Sequence, residues 1–349
     1  MDRTNNQLIA IQYLRGLAAL MVVFHHARNP HDWLYNPISS YGAFAWGVDI
    51  FFVISGFIIF IAARNETPVD FAVKRVIRVV PLYWMATIFL LLLNEKRELL
   101  LISSEQIEQI VKSLLFVPQF NLTKPAQIWP YLIPGWTLNY EMFFYLIFAI
   151  GLIFRKPILV ASLVICTLLV AGVTINFESA LMQAYTDPIL FEFLTGLLIG
   201  WIYKNKRLQF KRPEIVLLAF LMLFLIPVLN FEEYEIVLRI IASTSIVAGA
   251  ILLGPKIPNI ESLKLLGDAS YSIYLTHAVV SLRFSKKIWR DLPLDGLPQF
   301  IGWIITALLV SIIVGVVVHL YIERPMLKFL RKLWDNIRKS TLDKGIQRA

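Results

Sequence analysis

The stretch LIAIQYLRGLAALMVVFHHA, residues 8–27, decides the fold class. It is mostly apolar, and its length of about 20 residues is what an α-helix needs to cross the hydrocarbon core of a bilayer. Arg15 interrupts the run, and no clear small-residue cleavage site follows it. We therefore interpret it as an uncleaved first transmembrane helix and not as a signal peptide.

Apolar runs of this kind recur along the whole chain. It has 349 residues, of which 58% are hydrophobic and 16% are charged, whereas soluble domains are about 25% charged. The mean hydropathy of +0.67 agrees. The sequence predicts an all-α, polytopic membrane protein with about ten transmembrane helices, at 8–27, 44–63, 77–93, 136–154, 157–175, 188–203, 214–230, 235–253, 269–285 and 299–322.

The distribution of charge predicts the orientation. With a cytoplasmic N-terminus, 22 Lys and Arg residues fall in inside segments and nine in outside loops, as the positive-inside rule requires. Both termini are then cytoplasmic. This bias accounts for the net charge of +9 without a nucleic-acid partner. We predict one membrane domain at 1–335 and a basic cytoplasmic tail at 336–349.

Several kinds of chemistry are disfavoured by the residues present. Cys166 is the only cysteine, so neither an internal disulfide nor a cysteine-based zinc site can form. The chain has no Gly-rich phosphate loop, no HExxH and no acidic metal cluster, which argues against ATP hydrolysis and metalloprotease chemistry. The longest connection, about 94–135, has an amphipathic pattern that predicts an interfacial helix.

Arg15 and His26 form the first candidate constellation. They are eleven residues apart, and three helical turns take about 10.8 residues, so both side chains fall on nearly the same face, about 16 Å apart along the axis. His25 is rotated by about 80° from Arg15. An intramembrane ion is costly and indicates function. The alternative is that Arg15 snorkels to the inner surface and that His26 is an interfacial polar residue.

Arg75 and Arg78 form the second constellation. Their spacing of three places both guanidinium groups on one face at the cytoplasmic end of a span. Such a pair suits an anionic ligand, above all a phosphate. The alternative is an ordinary positive-inside anchor.

Two carboxylates are predicted at about the depth of His26. Asp49 opens the second span, and Glu141 lies about one turn inside the fourth. Either could orient the imidazole or stabilise its charge. Asp49 could instead be an acid at a helix N-terminus, satisfied by backbone amides. Ser55-Gly56 predicts a close helix approach or a kink.

Three further residues are candidates for substrate binding or for a structural role. For Trp136 and Tyr140, near Glu141, the alternative is an aromatic belt at the membrane interface, and we accept it for Tyr140. Tyr274 and His277 lie in the ninth predicted span. His277 is the deeper residue and either lines a cavity or bonds to a neighbouring helix. Glu323-Arg324-Pro325 ends the last span, where we expect structural capping.

These residues together suggest general-base chemistry. A histidine with a carboxylate partner can remove the proton of a hydroxyl group. An anionic cofactor held by cytoplasmic arginines could reach toward it, since about 16 Å is comparable with an extended pantetheine arm.

Six ordered motifs resemble the membrane-bound acyltransferase 3 family, over almost the entire chain. They are Arg15-Gly16-Leu17-Ala18 with His26, the segment Gly47–Phe57 (GVDIFFVISGF), Arg75-x-x-Arg78, Trp136–Glu141 (WTLNYE) with Ser270–His277 (SYSIYLTH), and Glu323-Arg324-Pro325. The similarity is greatest to bacterial exopolysaccharide and O-antigen O-acetyltransferases.

The resemblance implies ten transmembrane helices in the bacterial inner membrane, and acyl transfer from cytoplasmic acetyl-CoA, without a metal, to a saccharide hydroxyl. The acceptor would be a cell-surface polysaccharide or its polyprenyl-linked precursor. His26 would be the base or a transient acyl carrier, oriented by Glu141 and Asp49. The donor would be held by Arg15, Arg75 and Arg78.

One departure and two alternatives remain. Many relatives have two adjacent acids where this chain has Glu141-Met142, so Glu141 must act without a neighbouring acid. A transporter or flippase of an anionic or glycan substrate would also use intramembrane charges, although no convincing inverted halves are seen. A scaffold or receptor without chemistry is the third interpretation.

Overall fold

The computed structural model describes residues 3–28, 32–63, 66–94, 103–205, 215–229 and 232–346. Every regular element in these ranges is a helix. The α-helices are α1 (Arg3–Ala27), α2 (Gly47–Ala62), α3 (Pro68–Asn94), α4 (Ser104–Leu114), α5 (Trp136–Ile153), α6 (Pro157–Thr174), α7 (Ala180–Tyr185), α8 (Leu190–Lys204), α9 (Ile215–Leu229), α10 (Glu235–Leu253), α11 (Glu261–Asp268), α12 (Ser270–Thr276), α13 (Leu282–Trp289), α14 (Gly296–Val318) and α15 (Arg324–Ile346).

The prediction of an all-α, polytopic membrane protein is confirmed. Within the described ranges, seven helical segments are long and apolar enough to cross a bilayer, and they contain α1, α2, α3, α5, α6, α10 and α14. The other three predicted spans correspond to α8 and α9, with 15 residues each, and to the interrupted pair α12 and α13. The total of ten and the orientation stay predictions. Some cations used for the orientation lie outside the described residues, namely Arg64, Lys96, Arg97, Lys206, Arg207, Lys211, Arg212 and Arg348.

The bounds of α3 differ from the sequence prediction. The helix begins at Pro68, nine residues before the predicted start at 77. Thr67 accepts a hydrogen bond from the backbone N–H of Asp70 (3.1 Å) and so caps the first turn, while proline suits the first helical position. The charged side chains of Lys74, Arg75 and Arg78 interrupt the apolar pattern, and for this reason the predicted start was too late. They do not interrupt the helix. Arg75 and Arg78 therefore lie two to three turns inside a continuous helix.

Two π-helical turns, His277–Ser281 and His319–Glu323, modify the last two predicted spans. The first separates α12 from α13, so the predicted span 269–285 is not one regular helix. The second joins α14 to α15, so the helix continues past the predicted end at 322. The predicted boundary between 335 and 336 falls inside α15, and 347–349 lie outside the described residues. Such π turns are frequent at functional sites.

The periphery has the features of a lipid-facing surface. On α6, large apolar side chains such as Val170 and Val173 are exposed, and apolar surface of this extent marks a membrane or protein contact. In the 94–135 connection, α4 confirms the predicted amphipathic helix. Ser103 and Gln106 form a capping box at its start, and Ile107 and Val111 are exposed along one stripe.

The core depends on a close contact between α2 and α8. A Cβ atom added to Gly56 would lie 2.2 Å from the carbonyl oxygen of Phe193, and one added to Gly196 would lie 2.2 Å from that of Val53. The two glycines therefore let the helix backbones touch, as small residues do in membrane interfaces. This confirms the close approach predicted from Ser55-Gly56.

We expect Gly56→Ala to destabilise the protein by about 1–3 kcal/mol, the usual effect of overpacking. The added methyl group would meet the backbone of α8, which cannot turn away as a flexible side chain would. Gly42→Ala is the matched control, because a Cβ atom there has nothing within 4 Å. Thermal unfolding in detergent measures the stability of the two variants. Equal stability of Gly56→Ala and Gly42→Ala would contradict the packing argument.

Candidate active site

A cavity of about 140 Å³ lies between α1, α2, α3, α5 and α12. Its apolar wall comes mainly from α2, including Phe51, Phe52 and Ile58. The polar side chains that line it are Arg15, Ser55, Arg75, Arg78, Thr137, Glu141, Tyr145, Ser270, Tyr271 and Tyr274. The fold thus brings Arg15 together with Arg75 and Arg78 around one cavity.

The three arginines carry more positive charge than their neighbours neutralise. Within the described part of the chain, the side chain of Arg15 donates to one group, the amide oxygen of Gln12 (3.2 Å). Arg75 lies over the ring of Phe71 (5.5 Å), and its buried Nε has no hydrogen-bond partner. Among the ion pairs of the described residues, neither arginine has a carboxylate. Both residues are half-buried, and a cation withdrawn from water without a close counterion is costly, so the cavity is suited to bind an anion.

Arg78 is the one paired member of this group. It bonds at 2.5 Å to Glu323, which is fully buried at the end of the π-helical turn before α15. Glu323 also accepts hydrogen bonds from Ser272 (2.7 Å) and His319 (2.8 Å). Its carboxylate therefore ties together α3, α12 and the end of α14, beyond the capping role that the sequence suggested.

Glu141 lies with the arginines and is not bonded to His26. Its carboxylate accepts hydrogen bonds from Ser55 (3.1 Å) and from the hydroxyl of Tyr145. The predicted contact with His26 is wrong because Glu141 is four residues along α5 from Thr137, which bonds to Tyr274. That spacing places Glu141 about one turn further from the histidine.

His26 is instead bonded to His277. Nδ1 of His26 lies 2.7 Å from Nε2 of His277, and the two rings stack with centroids 4.9 Å apart. Nδ1 of His277 lies 2.6 Å from the carbonyl oxygen of Tyr274. Of the two roles predicted for His277, the structure shows the bond to a neighbouring helix.

These bonds fix the tautomers of the neutral pair. A carbonyl oxygen can only accept, so Nδ1 of His277 must donate to Tyr274, which leaves its Nε2 as an acceptor. Nδ1 of His26 must then donate to that Nε2. The lone pair of His26 is therefore on its own Nε2, the atom that a general base needs free.

His25 has a different environment from its neighbour. Its Nδ1 accepts a hydrogen bond from Arg28 (3.0 Å) at the end of α1. His26 thus bonds to His277 whereas His25 bonds to Arg28, and the choice of His26 over His25 as the partner of Arg15 stays a prediction.

Tyr274 connects the cavity with the histidine pair. Its hydroxyl lies 2.9 Å from that of Thr137 and donates to the carbonyl oxygen of Pro134 (2.8 Å). Its ring lies 6.0 Å from that of His277. Trp136 does not line the cavity but packs at the start of α5 against Tyr140 and Phe52.

Asp49 is paired with Arg239 of α10 and not with His26 in the hydrogen bonds of the described residues. Oδ1 of Asp49 accepts from both Nε (2.9 Å) and Nη2 (2.7 Å) of Arg239. Asp49 is one residue, or about 100° of rotation, from Val48, which lines the cavity. The sequence placed Asp49 at about the depth of His26, but it could not predict how α2 is rotated relative to α10. Glu192 of α8 is buried in the same region.

Two contacts that were not predicted nevertheless have signals in the sequence. Tyr145 follows Glu141 by four residues, a spacing at which helical side chains meet. Arg239 and Asp49 are intramembrane charges of opposite sign, which usually pair.

Metal binding has no obvious site, because no group of three His, Cys, Asp or Glu side chains in the described ranges could hold an ion.

Comparison with known proteins identifies the family. The acyltransferase domain known as Acyl_transf_3 matches residues 8–320. The exopolysaccharide production protein ExoZ of Rhizobium meliloti is 34% identical over 304 residues, which cover 81% of this chain and 90% of ExoZ.

Two more distant relatives agree with this match. The putative peptidoglycan O-acetyltransferase YrhL of Bacillus subtilis is 26% identical, over 90% of this chain and 54% of YrhL. The acyltransferase MdmB of Streptomyces mycarofaciens is 24% identical, over 84% and 83% of the two chains. No solved structure matches significantly. The chain therefore belongs to the acyltransferase 3 family and is a membrane-bound O-acyltransferase.

Proposed function

We propose that this enzyme moves an acetyl group from cytoplasmic acetyl-CoA to a hydroxyl of a cell-surface polysaccharide or of its lipid-linked precursor, in the bacterial inner membrane. The observation that carries the proposal is the arrangement along α1. Arg15 lines an arginine-rich cavity, and three turns further His26 has its Nε2 free. The names of ExoZ and YrhL support an acceptor of this class.

The cavity fits the phosphates of acyl-CoA. Arg15 and Arg75 lack carboxylate partners among the described residues, and the unpartnered Nε of Arg75 provides a free donor. Arginine binds phosphate through planar, paired donors. When bound, the donor supplies an activated thioester. Arg15, Arg75 and Arg78 would hold the phosphates, and an arm of about 16 Å would bring the thioester to the histidine end.

His26 would act as the base on the acceptor hydroxyl. Its Nε2 takes the hydroxyl proton while the hydroxyl oxygen forms the new ester bond and the C–S bond of the thioester breaks. The imidazolium then returns the proton to the leaving thiolate, which gives free thiol. His277 would orient the imidazole through the bond to Nδ1. Glu141, with Ser55 and Tyr145, would shape the donor cavity.

Arg75→Gln tests the donor site. We expect an increase in KM for acetyl-CoA of about 10- to 100-fold, because a hydrogen bond to a charged group contributes about 1.5–3 kcal/mol. The substitution breaks no ion pair, so the fold should survive. The assay is transfer of labelled acetyl from acetyl-CoA to a lipid-linked oligosaccharide by the protein in lipid.

Lys156→Gln, which removes an exposed cation between α5 and α6, is the matched control and should leave KM unchanged. An unchanged KM in Arg75→Gln would show that this arginine is only an anchor. Absence of acetyl-CoA binding by the wild type would refute the proposed donor. Glycan movement across vesicles without acetylation would favour the transporter alternative.

A further inference from the structure

The helix α15 is fastened to α3 along one face. Glu323, just before α15, bonds to Arg78. Further along, Trp334 Nε1 donates to Asp70 Oδ1 (3.0 Å), and Arg338 Nη1 lies 3.3 Å from Asp70 Oδ2. The two helices therefore run side by side in opposite directions from Arg78 to Asp70.

Arg331 lies on the face of α15 that carries these contacts. Glu323, Leu327, Arg331, Trp334 and Arg338 follow one another at steps of four, four, three and four residues, which is a single helical stripe. Leu327 is buried on this stripe. Arg331 is thus held between two fixed points of contact with α3.

This position brings Arg331 into the field of the cavity arginines. The stripe places its guanidinium near those of Arg78 and Arg75, and near the carboxylate of Glu323, which is already paired with Arg78. The ion pairs of the described residues include none for Arg331. The packing of α15 holds Arg331 close to a cavity that already has excess positive charge, and like charges repel. An anion that contacts both Arg331 and the cavity arginines would remove that repulsion.

We infer that Arg331 is a fourth phosphate-binding arginine, which recognises the separate 3′-monophosphate at the nucleotide end of the acyl donor. This inference rests on the proposed function. With the thioester at His26, the diphosphate would lie at Arg15, Arg75 and Arg78. The nucleotide would then extend along α3 away from the histidines, and Arg331 is a cation held in that direction. The role of α15 is thus to take part in recognition of the acyl donor.

The test compares acetyl-CoA with its 3′-dephospho analogue as donors for the protein in lipid. For the wild type we expect KM to be about 10-fold higher for the 3′-dephospho donor, the effect of about 1.4 kcal/mol. Arg331→Ala should raise KM for acetyl-CoA by about 10-fold, leave kcat unchanged and remove the difference between the two donors. Arg331→Lys should restore part of it.

Lys332→Ala removes the same charge from the adjacent residue of α15 and should leave both KM values within about twofold of the wild type. The inference is overturned if the wild type does not distinguish the donors, or if Arg331→Ala still does. A wild type that binds neither donor would refute the proposed function itself. Arg331 is exposed, so its replacement should not disturb folding.

Discussion

His26→Ala should reduce acyl transfer by about 10²- to 10⁴-fold, the range that a positioned general base contributes. The hydrogen bonds that run from His26 through His277 to the carbonyl of Tyr274 leave only Nε2 of His26 with a free lone pair. Alanine removes that atom, and the neighbouring imidazole of His25 is not positioned to replace it, since it is bonded to Arg28. Donor affinity should change little, because the cavity arginines remain.

The measurement is kcat for acetyl transfer, with acetyl-CoA binding followed separately. His25→Ala is the matched control and should retain most activity, because it removes the neighbouring histidine of the same helix. Full activity in His26→Ala, or a larger loss in His25→Ala, would show that the assignment of the base is wrong. His277→Phe should lower kcat without raising KM for the donor, as expected of a positioning residue.

The same variants distinguish two catalytic mechanisms, a covalent acyl-histidine intermediate and direct transfer to the acceptor. If His26 carries the acyl group transiently, initial rates will follow ping-pong kinetics and an acyl-enzyme can be trapped from the wild type but not from His26→Ala. If His26 only removes the proton, neither will be observed.

Arg239→Ala should destabilise the protein by about 3–5 kcal/mol, the effect of removing one member of a buried ion pair. Asp49 is 1% exposed, and so is Glu192. Without the guanidinium, Asp49 would remain buried with no counterion, in a region that contains a second carboxyl group. The free energy of unfolding should fall, and the melting temperature with it.

Thermal unfolding of the purified protein in detergent provides the measurement. Arg290→Ala is the control, because Arg290 is exposed and surface substitutions usually change stability by less than about 0.5 kcal/mol. Asp49→Asn combined with Arg239→Gln should be less harmful than Arg239→Ala, because it removes both charges. Equal melting temperatures for Arg239→Ala and the wild type would contradict this account of the pair.

Much of the site was predictable because helical geometry is local. The spacing of Arg15 and His26 follows from 3.6 residues per turn, and in the structure both residues lie on the one helix α1, Arg15 at its middle and His26 in its last turn. The spacing of Arg75 and Arg78 likewise predicted a shared face. The family motifs then indicated acyl transfer, which the comparisons confirm.

The partners of these residues were not predictable in the same way. Asp49 and Glu141 were assigned to His26 from their depth in the membrane. Depth leaves the rotation of each helix and the identity of its neighbours undetermined. In the structure Asp49 forms an ion pair with Arg239, and Glu141 accepts hydrogen bonds from Ser55 and Tyr145. The residue that bonds to His26 is His277.

The sequence by itself determined that the chain is a polytopic helical membrane protein, and which face of the first helix carries its arginine and histidine. It did so because apolar length and helical period depend only on residues near one another in the chain. The tertiary structure alone decided which cations share the cavity and which histidine fixes the tautomer of His26. Those contacts join residues up to 251 positions apart, and they depend on how separate helices rotate and pack against one another.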